Sequence, residues 1–299
     1  MADAPTPNPP GYEDLPNPRG FEPVPLPRFP LIPDPATSPT PDHPDRWPRG
    51  ERFDVWIPLP DGVELFGLTF LPASDPAPFI VLLHMWGMDS GSWDRRAPGF
   101  LDGLGEAGYA WCALDLRWHG RSGGEPHCAT YPQWVAAMQL TGEAKIERMA
   151  RLAEMGPPLG ANVRFLPDLG HVLNFFAASG QVDHTRTALI GASVGANCAW
   201  VASSLYGWRT HICISPWYPA PGWSLMGREV PDFRPRDCLF IADTAEAPEA
   251  WLMAARTGGS AEVLEVPAKE HGVGLLREPA VAQWVMDHLK SNLAASPTP

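Results

Sequence analysis

The stretch Thr187-Ala-Leu-Ile-Gly-Ala-Ser-Val-Gly-Ala-Asn-Cys-Ala-Trp-Val-Ala202 decides how the rest of the chain reads. Its first four residues are a short apolar run, the mark of a buried strand. Ala196 to Ala202 suit a helix. Between them lies Gly191-Ala-Ser-Val-Gly195. A serine on so tight a strand-to-helix turn takes strained dihedrals, and the glycines remove side chains that would collide across it. Ser193 is therefore the candidate nucleophile. The same pattern recurs in Gly120-Arg-Ser-Gly-Gly124, but after a spacer, Asp115-Leu-Arg-Trp-His119, and before Glu125-Pro126, which do not start a helix. Ser122 reads as a loop serine.

Outward from residue 187, apolar runs alternate with helical stretches. Phe53–Ile57 and Val63–Leu71 flank the turn Pro60-Asp-Gly62 and form a hairpin. Phe79–Leu83, Tyr109–Leu116, His211–Ser215, Leu239–Ala242 and Ala261–Val266 read as further strands. Helices are expected over 93–107, 168–179, 195–206, 247–257 and 279–293. This alternation predicts an α/β fold, a mostly parallel doubly wound sheet with its site at the carboxyl ends of the strands. Residues 1–50 are dominated by proline, which forms neither ladders nor helices, so they are a leader or an extended arm. The domain proper is expected over 51–299, with 130–160 as a small lid or an ordinary insertion.

Composition narrows the function. The chain has 299 residues, 44% hydrophobic and 19% charged, with a net charge of -12. An acidic surface repels phosphate backbones and anionic bilayers, so neither nucleic acid nor a membrane is an expected partner. No apolar run approaches the roughly 18 residues of a spanning helix. Met1 to Pro10 carries no basic start followed by an apolar stretch, so a cytoplasmic location is expected. The five cysteines (112, 128, 198, 213 and 238) show no CxxC spacing and read as small buried hydrophobes rather than a disulfide framework or zinc site. No metal or cofactor is expected, and oligomeric state is not encoded.

A serine needs a base and a group to orient it, and these follow an elbow serine in the order acid, then histidine. Of the three histidines after Ser193, His211 opens a buried strand and His288 sits among surface residues of the last helix. His271, in Lys269-Glu-His-Gly272, falls at a strand's carboxyl end and is the expected base. The acid should follow the strand ending at Ala242. Glu246 lies on the next loop, and Asp243 is the alternative. Each is also suited to stabilising the helix start after it. An oxyanion hole needs two backbone N–H groups. Val194 should supply one. The loop His84-Met-Trp-Gly-Met-Asp89 should supply the other, from Trp86 or alternatively Met85, with His84 as a brace. Trp118, Trp217, Tyr218 and Trp223, with Trp86, are candidates for an acyl pocket or for plain core.

Together these segments resemble the α/β-hydrolase superfamily over about residues 51–293. They are His84-Met-Trp-Gly87, Leu114-Asp-Leu-Arg-Trp-His-Gly-Arg-Ser122, Gly191-Ala-Ser-Val-Gly-Ala196 and Glu265-Val-Pro-Ala-Lys-Glu-His271. The nearest likeness is to bacterial serine esterases similar to dienelactone hydrolases. The resemblance identifies the second Gly-x-Ser-x-Gly as a common superfamily loop. It implies an acyl-enzyme mechanism on a small-molecule ester of small or medium acyl chain. Relatives often carry cysteine at the elbow, and Ser193 favours esters over lactones. Met85 stands where relatives usually have glycine, and Glu246 where aspartate is usual. The rival readings are a serine peptidase or acyl transferase on the same fold, a non-catalytic hydrolase-like binding protein, and, weakest, a metal-dependent hydrolase.

Overall fold

The computed structural model describes residues 36, 38–73, 76–123, 144, 165–216 and 236–294. Two short segments, β1 (Arg52–Pro58) and β2 (Glu64–Phe70), pair antiparallel from Arg52 opposite Phe70 to Pro58 opposite Glu64. Leu59 donates to the Val63 carbonyl at 2.7 Å, and Gly62 supplies the positive φ of 84° that closes the turn. Along β1, buried Val55 and Ile57 alternate with exposed Asp54, Trp56 and Pro58, as expected of a strand covered on one face.

The remaining strands are β3 (Ala77–Leu83), β4 (Ala110–Leu114), β5 (Val182–Ala192), β6 (Thr210–Ile214), β7 (Arg236–Asp243) and β8 (Gly258–Val266). They form one eight-stranded sheet in the order β1-β2-β4-β3-β5-β6-β7-β8. Pairing is antiparallel from β1 to β4 and parallel from there on. Every residue of β4 and β6 is buried, because helices cover both faces of a parallel sheet. Side chains alternate between two cores. Val81, Leu83, Leu189 and Phe240 face one, and Ile80, Leu82, Ile190 and Ile241 the other. Each such side chain contributes roughly 1.5–3 kcal/mol by leaving water.

The helices are α1 (Ser92–Arg96), α2 (Phe100–Glu106), α3 (Phe165–Ser179), α4 (Val194–Ala202), α5 (Ala247–Ala254) and α6 (Pro279–Asn292). The single helix expected over 93–107 is two. Pro98 disfavours helical dihedrals at Ala97, which sits at φ -134° and ψ 68°, and Gly99 follows at φ 82°. β5 begins at Val182 rather than Thr187, with an irregular step where Pro78 pairs with Asp183 and Phe79 with Thr187. His288 is not a plain surface residue: it is half-buried and its Nε2 lies 2.8 Å from Thr210 Oγ1, joining α6 to β6.

The leader lies outside the described residues up to 35. Its last part runs along the domain in irregular chain with one 3-10 turn at Pro44–Arg46. Trp47 packs its ring 5.9, 5.9 and 5.7 Å from those of Phe53, Phe175 and Phe176. Arg49 bonds the Pro72 carbonyl at 3.0 Å and the Gln181 side chain. The lid or insertion expected over 130–160 falls outside the described residues except for Ala144, as does Cys128. Cys112, Cys198, Cys213 and Cys238 are buried and form no disulfide. Among the described residues no helix is long and apolar enough to cross a membrane.

Candidate active site

β5 runs straight into α4 through Ser193, which sits at φ 55° and ψ -114°. Such a backbone costs on the order of 1–3 kcal/mol and persists only where its surroundings over-determine it. Here the Ser193 N–H donates to the Ile214 carbonyl at 2.9 Å, and the Ser193 carbonyl accepts from Asn197 at 3.1 Å. The glycines are required by space. A Cβ on Gly191 would stand 2.0 Å from the Gly195 carbonyl oxygen, and one on Gly195 would stand 2.5 Å from that of Leu83. Ser193 and Val194 are half-buried, so solvent reaches the turn. Val194 opens α4, where a backbone N–H has no acceptor within the helix.

The histidine and the acids lie at the ends of β7 and β8. Glu246 Oε1 is 2.6 Å from His271 Nδ1. A carboxylate only accepts, so Nδ1 carries a proton, and in the neutral ring Nε2 is then the lone-pair nitrogen. Asp243 turns elsewhere. One of its oxygens accepts the Ala245 N–H at 2.9 Å, and the other the Lys269 N–H at 2.6 Å. It clamps the loop after β8 to the loop after β7, and those two backbone donors hold its carboxyl below the ordinary value. Burial pushes the Glu246 carboxyl up, but the bond from His271 and the favourable influence of the Ser215 hydroxyl outweigh this and leave it lowered. The His271 side chain is 49% exposed, open enough to meet a ligand.

The loop after β3 is braced by His84. Its Nε2 accepts the Leu116 N–H at 3.0 Å and its Nδ1 donates to the Met85 carbonyl at 2.7 Å. Burial drives its pKa down to about 4, so it is a neutral strut. Trp86 is half-buried, edge-on to His119 at 5.2 Å. The Met85 side chain is buried against Gly272, where a Cβ would stand 2.1 Å from Met85 Sδ and 3.6 Å from Ala192 Cβ. Met85 precedes Trp86, Ala192 precedes Ser193 and Gly272 follows His271, so the three loops converge there. No hydrogen bond joins Ser193 Oγ to His271. Such bonds often tighten only once a ligand is bound.

Ser122 is elsewhere. It lies in a loop wound around the Asp115 carboxylate, which accepts from Ser90 N at 2.5 Å and Arg121 N at 2.6 Å. The Ser122 hydroxyl donates to the Asp115 carbonyl at 2.6 Å and accepts the Phe66 N–H at 2.8 Å, tying this loop to β2. Arg117, also in this loop, grips Asp168 with two bonds of 2.7 and 2.8 Å and Asp61 with one of 2.6 Å. Trp118 has φ 67° and packs on Phe165 at 5.7 Å. Trp217, Tyr218 and Trp223 lie outside the described residues.

Two residues escaped the sequence reading. Gly272 has φ 60° and no room for a side chain, and a glycine directly after the candidate histidine was the available signal. Ser215 accepts the Gly272 N–H at 2.9 Å across 57 positions. Nothing local announces that contact.

The sequence matches no protein-family model and no curated protein. Solved structures do match. A dienelactone hydrolase of Anabaena variabilis is 17% identical over 81% of this chain and 98% of its own, with a TM-score of 0.52. An esterase of Pyrococcus furiosus is 18% identical over 82% and 94%, at 0.56. Acetyl xylan esterase 1 of a Thermoanaerobacterium species is 12% identical over 84% and 86%, at 0.54. With its antiparallel entry hairpin and parallel sheet, the chain has the α/β-hydrolase fold and resembles dienelactone hydrolases in structure.

Proposed function

We propose that the protein is a serine hydrolase that cleaves carboxylic esters of small or medium acyl chain. The observation that carries the reading is the Glu246–His271 pair at 2.6 Å, set beside a serine held at φ 55° on a strand-to-helix turn. That the similar structures are described as a dienelactone hydrolase, an esterase and an acetyl xylan esterase supports ester chemistry.

In this mechanism Glu246 keeps the proton on Nδ1 of His271, so Nε2 takes the proton from Ser193. The serine oxygen attacks the acyl carbonyl. The Val194 N–H, with that of Trp86 or alternatively Met85, holds the developing oxyanion. His271 protonates the leaving alcohol, and water releases the acid by the same steps in reverse roles. Trp118, with Trp217, Tyr218 and Trp223, would wall the acyl pocket. Residues 38–50 lie against the 51–299 domain through Trp47.

The test is hydrolysis of p-nitrophenyl butyrate by the wild type, Ser193→Ala and Ser122→Ala, with fluorophosphonate labelling in parallel. Loss of turnover and label in Ser193→Ala alone is expected. A wild type that neither labels nor turns over any short-chain ester overturns the reading.

A further inference from the structure

β6 ends at Ile214, and the next residue, Ser215, is 1% exposed with φ 49°. Glycine takes that backbone at less cost than serine does. What the serine adds is a hydroxyl at a junction. The Ser215 N–H donates to the Ile241 carbonyl at 2.7 Å, which locks the end of β6 to β7. Its Oγ accepts the Gly272 N–H at 2.9 Å. The preceding carbonyl, of Ile214, takes the Ser193 N–H. Residues 214 and 215 therefore hold both the elbow and the loop that carries His271.

The hydroxyl still has a proton to donate. Gly272 adjoins His271, and His271 bonds Glu246, so the next acceptor along this chain of contacts is the Glu246 carboxylate. Glu246 spends Oε1 on His271, and its Oε2 is buried with no hydrogen-bond partner. We infer that Ser215 is a positioning residue for the proposed triad, taking the Gly272 N–H and giving its own proton to Oε2 of Glu246. One side chain then fixes the acid and the backbone beside the base. In agreement, the Ser215 hydroxyl, like His271, favours the ionised form of Glu246, whereas burial and the nearby Asp243 charge oppose it.

This inference rests on the proposed function. The test compares wild type with Ser215→Ala and Ser215→Gly on p-nitrophenyl butyrate. The expected result is a kcat lower by about 10- to 100-fold, the rate equivalent of one charge-assisted hydrogen bond, with KM within about two-fold. The acid limb should also change. Without the hydroxyl Glu246 protonates at higher pH, so the fall of log kcat/KM steepens from slope one towards two at a higher pH than in wild type. A purely structural serine would move stability and leave that slope in place. If wild type is active and either folded variant keeps its kcat and acid limb, this inference alone fails. If wild type is inert, the catalytic reading fails and takes this with it. Should Ser215→Ala not fold, Ser215→Gly suits the positive φ and removes the same hydroxyl. A crystal structure of the wild type adds a test that needs no variant, since a Ser215 Oγ to Glu246 Oε2 separation beyond about 3.5 Å overturns the inference.

Discussion

Glu246 Oε1 and His271 Nδ1 lie 2.6 Å apart, although the residues are 25 positions apart and belong to the loops after different strands. Asp243, only three positions from Glu246, spends both carboxylate oxygens on the backbone N–H groups of Ala245 and Lys269. Two neighbouring acids thus have separable jobs, which substitution should distinguish. Glu246→Gln should lower kcat by about 100- to 10,000-fold, because an amide no longer enforces the Nδ1–H tautomer. Asp243→Asn should keep most of the rate but lower the unfolding temperature, since an amide NH2 then faces one of the two N–H donors. Steady-state kinetics and thermal melts check both, and a larger rate loss in Asp243→Asn would reverse the assignment.

The pH dependence follows from the lowered Glu246 carboxyl. A carboxylate whose folded pKa is depressed stabilises the fold above its unfolded value of about 4.3, and that contribution is lost as pH falls through the lower folded value. Glu246 therefore stays ionised through the range in which histidine titrates, about pH 5 to 8. The expected profile of kcat/KM is a single one-proton fall on the acid side, from the histidine base alone. A rate that stays flat across that range would remove histidine from the mechanism. Asp243, also lowered, shifts stability in the same direction, so urea midpoints should fall as pH drops below the ordinary carboxylate range.

Gly272→Ala should damage the site through two separable strains. The new methyl would stand 2.1 Å from Met85 Sδ, and the backbone would remain at φ 60°. A lower kcat and a lower melting temperature are expected. Adding Met85→Ala opens the space but not the backbone, so the double variant should recover part of the loss. Full recovery would show that the positive φ costs nothing here.

Ser122→Ala removes a hydroxyl that donates to the Asp115 carbonyl and accepts from Phe66. It should cost about 1–3 kcal/mol of stability, by leaving a buried N–H unpaired, with little change in turnover. Urea unfolding beside an esterase assay measures both.

Trp47→Ala tests whether the end of the leader belongs to the packed unit. The indole meets Phe53, Phe175 and Phe176, and losing it should cost about 2–3 kcal/mol. A change below about 0.5 kcal/mol in a denaturant titration would mean that the arm lies on the domain without stabilising it.

Much of the fold was legible in the chain because its signals are local. Short apolar runs mark strands buried on both faces, and Phe79–Leu83 and His211–Ile214 needed nothing further. The Gly191-Ala-Ser-Val-Gly195 turn was legible because its steric demand falls within five residues. The break at Pro98 was equally local, and the apolar spacing of 93–107 masked it. His288 reads as polar surface until the packing of α6 on β6 brings it to Thr210.

By itself, then, the sequence determined a parallel α/β architecture, the strained serine turn, and a histidine and two carboxylates after later strands. It left open which carboxylate meets the histidine. Only the tertiary structure decided that, by turning Asp243 back onto two backbone N–H groups and bringing Glu246 to His271. It also revealed the bond from Gly272 N–H to Ser215 beside His271, and the Met85–Ala192–Gly272 contact that draws three loops together. The physical reason is the range of the interaction. Periodicity and turn sterics act over a few residues, whereas contacts across 25 or 57 positions exist only once the sheet order has set strand ends side by side.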